Sequence, residues 1–188
     1  MFPDEDLHMV LRVAHDKAGL LFEPEKRYLV ESRLQKLAQE KKCEVDTILA
    51  ALRAGDAAMQ ADVAEAMTVQ ETYFFRDPWL FESLREEVLP RLMQRRAATQ
   101  QLRIWCAACA TGQEPWSIAL LLAGMTELAN WDVEILASDF SPAALAKAAS
   151  GRYSHMEVNR GLPARELAVH FRRDGLDWVV TSDIRRRL

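Results

Sequence analysis

From Leu102 onward the chain alternates strand-like and helix-like segments, and that rhythm restricts its fold more than any other feature. Leu102-Arg103-Ile104-Trp105-Cys106 reads as a short buried strand, and Pro115 to Met125 reads as a helix with Ile118, Leu121, Leu122 and Met125 inward. Val133 to Ser138 reads as a second strand, and Ser141-Pro142 supplies a cap and a first-turn proline for a helix that ends at Gly151. Strand, helix, strand, helix at this spacing predicts a parallel α/β sheet with right-handed crossovers. The tail leaves that rhythm. Phe171 to Arg173, a turn at Asp174-Gly175, and Leu176 to Thr181 read as a β-hairpin, because Asp-Gly supplies the positive φ angles of a tight turn.

Upstream the period is helical. Leu7, Val10, Leu11, Ala14 and Ala18, then Leu29, Val30, Leu34 and Leu37, recur at three- and four-residue spacing. Gly19 suits a helix C-terminus and Pro24 the first turn of the next helix. Asp46, Thr47 and Gly55 bracket a third short helix, and a fourth runs from about Ala57 to Met67. Residues 1–67 are therefore expected to form a helical domain. Thr68 to Arg76 is aromatic and β-branched without helical period and reads as an extended connector. Asp77-Pro78 opens a helix to about Leu89 with Phe81, Leu84 and Val88 inward, and Arg91 to Gln100 reads as a polar linker. The remaining boundaries are 68–100 for the connector and linking helix, 101–154 for the α/β domain, and 155–188 for a small β-subdomain.

Composition narrows the class. About half of the 188 residues are apolar, enough for a core, and the net charge of -4 argues against a general nucleic-acid binder. No apolar run reaches membrane-spanning length, and Asp4-Glu5-Asp6 is acidic where a secretory signal would be basic. With three unevenly placed cysteines, Cys43, Cys106 and Cys109, a cytosolic location is expected.

The chemistry-bearing stretch is Ile104 to Ile118, where a strand ends in small residues and a helix begins. Small side chains let a ligand approach the backbone, Gly112 permits a tight turn, and N–H groups at a helix start are donors. This is a nucleotide-type cradle at the carboxyl end of a strand. A turn packed with small residues for its own sake fits the same letters. Glu114 at the mouth of the turn suits a cation or ammonium group, or simply the positive end of the helix dipole. Asp139 closes the second strand, where a carboxylate accepts hydrogen bonds from ribose hydroxyls; the competing role as a helix cap is already filled by Ser141. Thr72 and Arg76 lie in the connector, where an arginine can pair with a ligand carboxylate or stay solvated. Trp105-Cys106-Ala107-Ala108-Cys109 imitates a redox motif, but the expected helix start lies several residues later than redox chemistry needs. Lys26, Arg27, Arg33 and Lys36 line one helix, where Glu25, Glu31 and Glu40 favour a plain solvated face over an acidic docking partner. The four histidines form no metal-ligand spacing with the cysteines.

Five blocks together carry a resemblance. Thr68-x-Gln70-x-Thr72-x-Phe74-Phe75-Arg76, Trp105 to Ser117, Ala137-Ser138-Asp139, Gly151-Arg152-Tyr153 and Arg160-Gly161-Leu162-Pro163 resemble, in order and spacing, the CheR family of chemotaxis receptor methyltransferases. The resemblance implies a helical N-terminal domain, a Rossmann-like domain binding S-adenosylmethionine, and a small antiparallel β-subdomain inserted into it. By position it places Gln70, Thr72 and Arg76 on connector contacts to the cofactor, Glu114 near the methionine moiety and Asp139 on the ribose. Gln70 stands where the family usually has Asn, and Ala108 where it often has Gly. The family continues beyond the point matching Leu188 with an Asn-Leu pair, a Cys-Arg-Asn-Val-like strand and further sheet strands. A fragment, a truncated product or a partner that completes the site is therefore expected.

The implied reaction esterifies glutamate side chains on the cytoplasmic domain of chemotaxis receptors, yielding S-adenosylhomocysteine. A glutamate with a pKa of about 4.3 is ionised at neutral pH, so positioning and exclusion of water suffice and no catalytic residue is singled out. A non-catalytic cofactor-sensing or receptor-docking module is the rival reading. A receptor tail peptide adding to the β-hairpin edge, and self-association through an open edge of the first strand, are further expectations.

Overall fold

The computed structural model describes residues 3–23 and 26–188. Pro24, expected in a helical first turn, lies outside the described residues, as do Met1, Phe2 and Glu25. The chain divides into two compact units, 1–69 and 70–188. Among the described residues no helix is long and apolar enough to cross a membrane.

The first unit is all helical: α1 (Asp4–Ala18), α2 (Arg27–Lys41), α3 (Val45–Arg53) and α4 (Ala57–Ala66). The apolar spacing seen in the sequence becomes its core, with Val10, Ala14, Val30, Leu34, Ile48 and Val63 sealed from solvent. Gly19 ends α1 in the left-handed conformation expected of a helix-terminating glycine. The basic run on α2 is largely self-paired. Arg27 bonds Asp4 and Glu31, Lys36 faces Glu40, and Arg33 turns inward to donate to the Met67 carbonyl, where burial lowers its pKa. That favours the solvated-face reading.

The second unit opens with the connector and then α5 (Pro78–Ser83), a π-helical turn over Leu84–Val88, and α6 (Leu89–Arg96). Three expectations are corrected here. Residues 91–96 are helix rather than linker. Pro90 cannot donate a hydrogen bond and its ring crowds the carbonyl four residues back, but the π turn, closed by Leu89 N–H to Leu84 O, widens the helix instead of ending it. The extra residue rotates the buried face, so Val88 is 42 % exposed and Leu89 is 2 % exposed in its place. Asp77 makes no side-chain cap bond; it sits in the left-handed region at φ 59°.

The α/β portion follows as β1 (Gln101–Ala107), α7 (Gln113–Ala123), β2 (Asp132–Ser138) and α8 (Pro142–Ser150). β1 and β2 are parallel, with Leu102 opposite Val133 and Cys106 opposite Ala137. α7 begins at Gln113, two residues before the expected Pro115, and is buried on nearly every side, including Trp116, Ala119, Leu120 and Leu122. Among the described residues β1 has one strand neighbour, and the sheet face bearing Trp105 and Leu136 is exposed.

After Gly151 come β3 (Arg152–Ser154), α9 (His155–Asn159), α10 (Ala164–His170), β4 (Phe171–Asp174), β5 (Asp177–Val180) and α11 (Ser182–Arg185). The hairpin is present, but its two-residue turn is Gly175-Leu176, since Asp174 pairs with Asp177. Only Gly175 of that pair has positive φ, the pattern of a type II′ turn rather than one centred on Asp-Gly. β3 joins as a third strand in the order β3-β5-β4, all antiparallel. Helices α9 and α10, absent from the sequence expectation, fill the excursion between β3 and β4.

Candidate functional site

The site grows from the carboxyl end of β1. Beyond Ala107 the chain turns through Ala108 (φ 58°), Ala110 (φ 47°) and Gly112 (φ 92°), three left-handed residues in five, before α7 starts. Cys109 N–H continues the strand ladder to Ser138 O at 2.9 Å, and Gly112 N–H closes the turn on Cys109 O at 3.0 Å. Alternating left-handed residues aim successive N–H groups to one side, the arrangement that receives anionic or polar ligand groups. Two alanines hold conformations that glycine adopts freely. Ala108→Gly is accordingly expected to raise stability by about 1–2 kcal/mol, measured as the urea midpoint; a lowered midpoint would show that this loop conformation is not the resting one.

Gly112 is buried, and its close neighbours explain why it must be glycine. A Cβ there would lie 2.6 Å from Ala148 Cβ and 3.0 Å from the Tyr153 hydroxyl. Gly112 thus lets the start of α7 press against α8, a packing role alongside the tight turn read from sequence.

Asp139 ends β2 on the same side. One carboxylate oxygen accepts the Ala110 N–H at 2.8 Å and the other the Ser141 N–H at 2.9 Å, while Ser141 Oγ caps α8 by accepting Ala144 N–H. A carboxylate has about four lone-pair positions, so these two backbone bonds orient it and leave acceptor capacity. Glu114, half-buried in the first turn of α7, lies against the Cys106 thiol.

The connector is bolted to α7. Ser117, fully buried, donates to Gln113 O at 2.6 Å and accepts the Phe75 N–H at 2.9 Å. Phe75 sits at φ 50°, an unusual conformation for an aromatic residue, and its ring stacks 5.0 Å from Phe81. The connector, expected to be extended, thus carries a strained turn at Phe74–Phe75. Gln70 and Thr72 are half-buried along it, while Arg76 is exposed and donates to Glu71 O. The structure thus brings Gly112, Glu114 and Asp139 around one loop and ties the segment bearing Gln70, Thr72 and Arg76 to the helix leaving that loop.

Two supporting residues were not assigned roles from sequence. Ser117 is one, hidden because a helical serine ordinarily faces solvent. Tyr153 is the other: fully buried, it donates its hydroxyl to Thr111 O at 2.8 Å and meets Phe74 edge-on at 5.0 Å. Burial pushes its phenol far above the ordinary value, so it stays a donor. Tyr153→Phe strands the Thr111 carbonyl and is expected to cost about 1–3 kcal/mol; an unchanged unfolding midpoint would refute that support.

The redox imitation fails on geometry. Cys106 is in β1, Cys109 is in the loop, α7 starts four residues beyond Cys109, and both thiols are free and buried. Burial first, then the Glu114 charge, pushes Cys106 up to about 12, and burial raises Cys109 as well. At pH 8 the Cys106 thiolate fraction is then about one in ten thousand. Alkylation of the native protein should reach half-buried Cys43 well before Cys106; rapid labelling of Cys106 would contradict its environment. A 320 Å³ apolar groove bordered by Trp116, Leu136, Ala148 and Arg185 contains none of the six candidate residues.

Comparison with known proteins supplies the family. Residues 5–68 match the family described as CheR methyltransferase, all-alpha domain, and residues 70–188 match CheR methyltransferase, SAM binding domain. The chain is similar to Chemotaxis protein methyltransferase 1 of Pseudomonas aeruginosa, 35% identical over 90% of this chain and 64% of that protein. It is 35% identical to Chemotaxis protein methyltransferase Cher2 of Pseudomonas putida, over 94% of this chain and 67% of that protein. It is 38% identical to Chemotaxis protein methyltransferase 2 of Vibrio cholerae, over 92% of this chain and 60% of that protein. The chain therefore spans about two thirds or less of the length of these relatives. With the helical unit, the small-residue loop at the end of β1 and the carboxylate at the end of β2 all in the matched segments, this chain belongs to the CheR methyltransferase family.

Proposed function

We propose that this chain binds S-adenosylmethionine at the β1–α7 loop and serves the methylation of glutamate side chains on the cytoplasmic domain of chemotaxis receptors. The observation that carries the reading is Asp139. It stands at the carboxyl end of β2, its two oxygens oriented by Ala110 and Ser141 N–H groups, beside a loop of small residues with left-handed turns. A nucleoside fits that arrangement, because a fixed carboxylate accepts from both ribose hydroxyls and small residues admit the ligand to the backbone. Bound there, S-adenosylmethionine supplies a methyl group on a sulfonium, an electrophile for an ionised carboxylate.

The protein's part is positioning. Asp139 holds the ribose end, Gly112 shapes the turn, and Glu114 at the start of α7 offers a negative charge to the ammonium of the methionine moiety. Gln70, Thr72 and Arg76 line the connector, with Arg76 the exposed cation suited to a carboxylate. The substrate glutamate is ionised near neutral pH, so no residue needs to remove a proton. Orientation and exclusion of water account for the rate. The partner reading extends to a receptor tail lying as an extended peptide along the outer edge of β4, to self-association through the unpaired edge of β1, and to a cytoplasmic site of action.

Calorimetry with S-adenosylmethionine and S-adenosylhomocysteine on the 188-residue chain tests the cofactor assignment. One site for both compounds is expected, and a folded sample giving no heat with either overturns it. Transfer of labelled methyl to receptor glutamates separates an enzyme from a docking module, which would bind the cofactor without turnover.

A further inference from the structure

We propose that Arg160 is a positioning residue for the connector: acting through Glu71 and Tyr73, it holds the Gln70–Arg76 segment in the shape that presents Thr72 and Arg76. The inference rests on the cofactor reading above for its consequence, not for its geometry.

Arg160 belongs to the turn between α9 and α10, 89 residues away from Glu71 in sequence, yet its Nη2 donates to Glu71 Oε1 at 2.6 Å. The same guanidinium stands 4.5 Å from the centre of the Tyr73 ring. Arg76 approaches that ring too, at 5.8 Å, and donates to the Glu71 carbonyl at 3.1 Å. Tyr73 and Glu71 are thus shared by Arg160 and by the candidate ligand arginine. The contact reaches the backbone at the next residue. Gly161 has φ +86°, and a Cβ there would fall 2.0 Å from the Phe74 carbonyl oxygen, so the turn rests directly on the connector main chain.

The connector needs such support. Phe75 and Asp77 both occupy the left-handed region, at φ 50° and 59°, and non-glycine residues stay there only where their surroundings over-determine them. Ser117 holds one side of Phe75; Arg160 and Gly161 hold the preceding residues from another element. An exposed ion pair contributes little alone. Arginine here combines it with ring stacking, which a lysine ammonium reproduces poorly because it lacks the planar fork. The Arg160 guanidinium also holds the Glu71 carboxyl below its ordinary range. The Arg160 contacts are with Glu71 and Tyr73 of the connector, so its effect is on shape.

Hydrogen exchange followed by mass spectrometry on the ligand-free chain tests this directly. Arg160→Ala is expected to speed exchange in the 70–77 peptide about tenfold while β1 and α7 keep their protection, and Arg160→Lys should restore little of it. Glu71→Gln, which removes the ion pair but leaves the Tyr73 ring contact, should raise exchange in the same peptide by a smaller factor and serves if Arg160→Ala folds poorly. Arg95→Ala, removing an exposed charge on α6, should leave the 70–77 peptide unchanged. Unaltered exchange at 70–77 in both Arg160→Ala and Glu71→Gln overturns the proposal, as does an equal rise across β1 and α7. Calorimetry then reads the consequence: an affinity for S-adenosylmethionine about tenfold weaker in Arg160→Ala, with Arg95→Ala at the wild-type value. If the wild-type chain shows no cofactor binding, the cofactor reading fails while the exchange result still decides the role of Arg160.

Discussion

Gly112→Ala is expected to destabilise the 70–188 unit by about 2–5 kcal/mol. Two costs combine. A left-handed backbone costs an L-residue about 1–2 kcal/mol, and forcing a methyl group into packed structure costs about 1–3 kcal/mol. The second applies because the new Cβ would meet Ala148 Cβ at 2.6 Å and Ala148 Cα at 2.8 Å, where backbone cannot swing aside. Gly175 supplies the control: its φ is +65° but a Cβ there would meet nothing within 4 Å, so Gly175→Ala carries the conformational cost alone. Urea unfolding of both variants isolates the clash as their difference. Equal midpoints would show that α8 does not press on the loop as described.

Asp139→Ala is expected to weaken binding of S-adenosylmethionine tenfold to a hundredfold, because hydrogen bonds to a charged group are worth about 1.5–3 kcal/mol. The variant also releases the Ala110 and Ser141 N–H groups, so some of the loss would come from a relaxed loop. Asp139→Asn separates the two, since an amide oxygen can keep one backbone bond while the charge is removed. Weak binding by both variants, with a near-native melting temperature for Asn, supports a carboxylate acting on the ligand. Native affinity in Asp139→Asn would assign the residue to loop architecture alone.

Legibility differed by element. The helices of 3–69 and the β1–α7–β2–α8 order were readable because apolar spacing follows the period of each element, and caps such as Ser141 and Gly19 mark ends locally. The region around Pro90 was not. Proline's effect there depends on whether the helix can widen, which it does through the Leu84–Val88 turn, and so the inward face passed from Val88 to Leu89. The third strand β3 and the shifted turn at Gly175-Leu176 escaped for a related reason. Three residues carry too little period to read, and the register of a hairpin is set by the partner strand.

The same division holds at the site. Residue types and spacing alone placed a small-residue turn after β1 and a carboxylate after β2, because a tight approach needs small side chains and a strand end needs a polar terminus. Motif order supplied the family. Tertiary structure decided what each residue does with its atoms: that Asp139 reaches back to Ala110, that Gly112 is required by Ala148, that Ser117 and Tyr153 brace the loop and connector, and that Arg160 meets Glu71. Those partners lie from 29 to 89 positions apart in the chain. Local propensity acts over a few residues, so contacts at such separations exist only once the elements have packed.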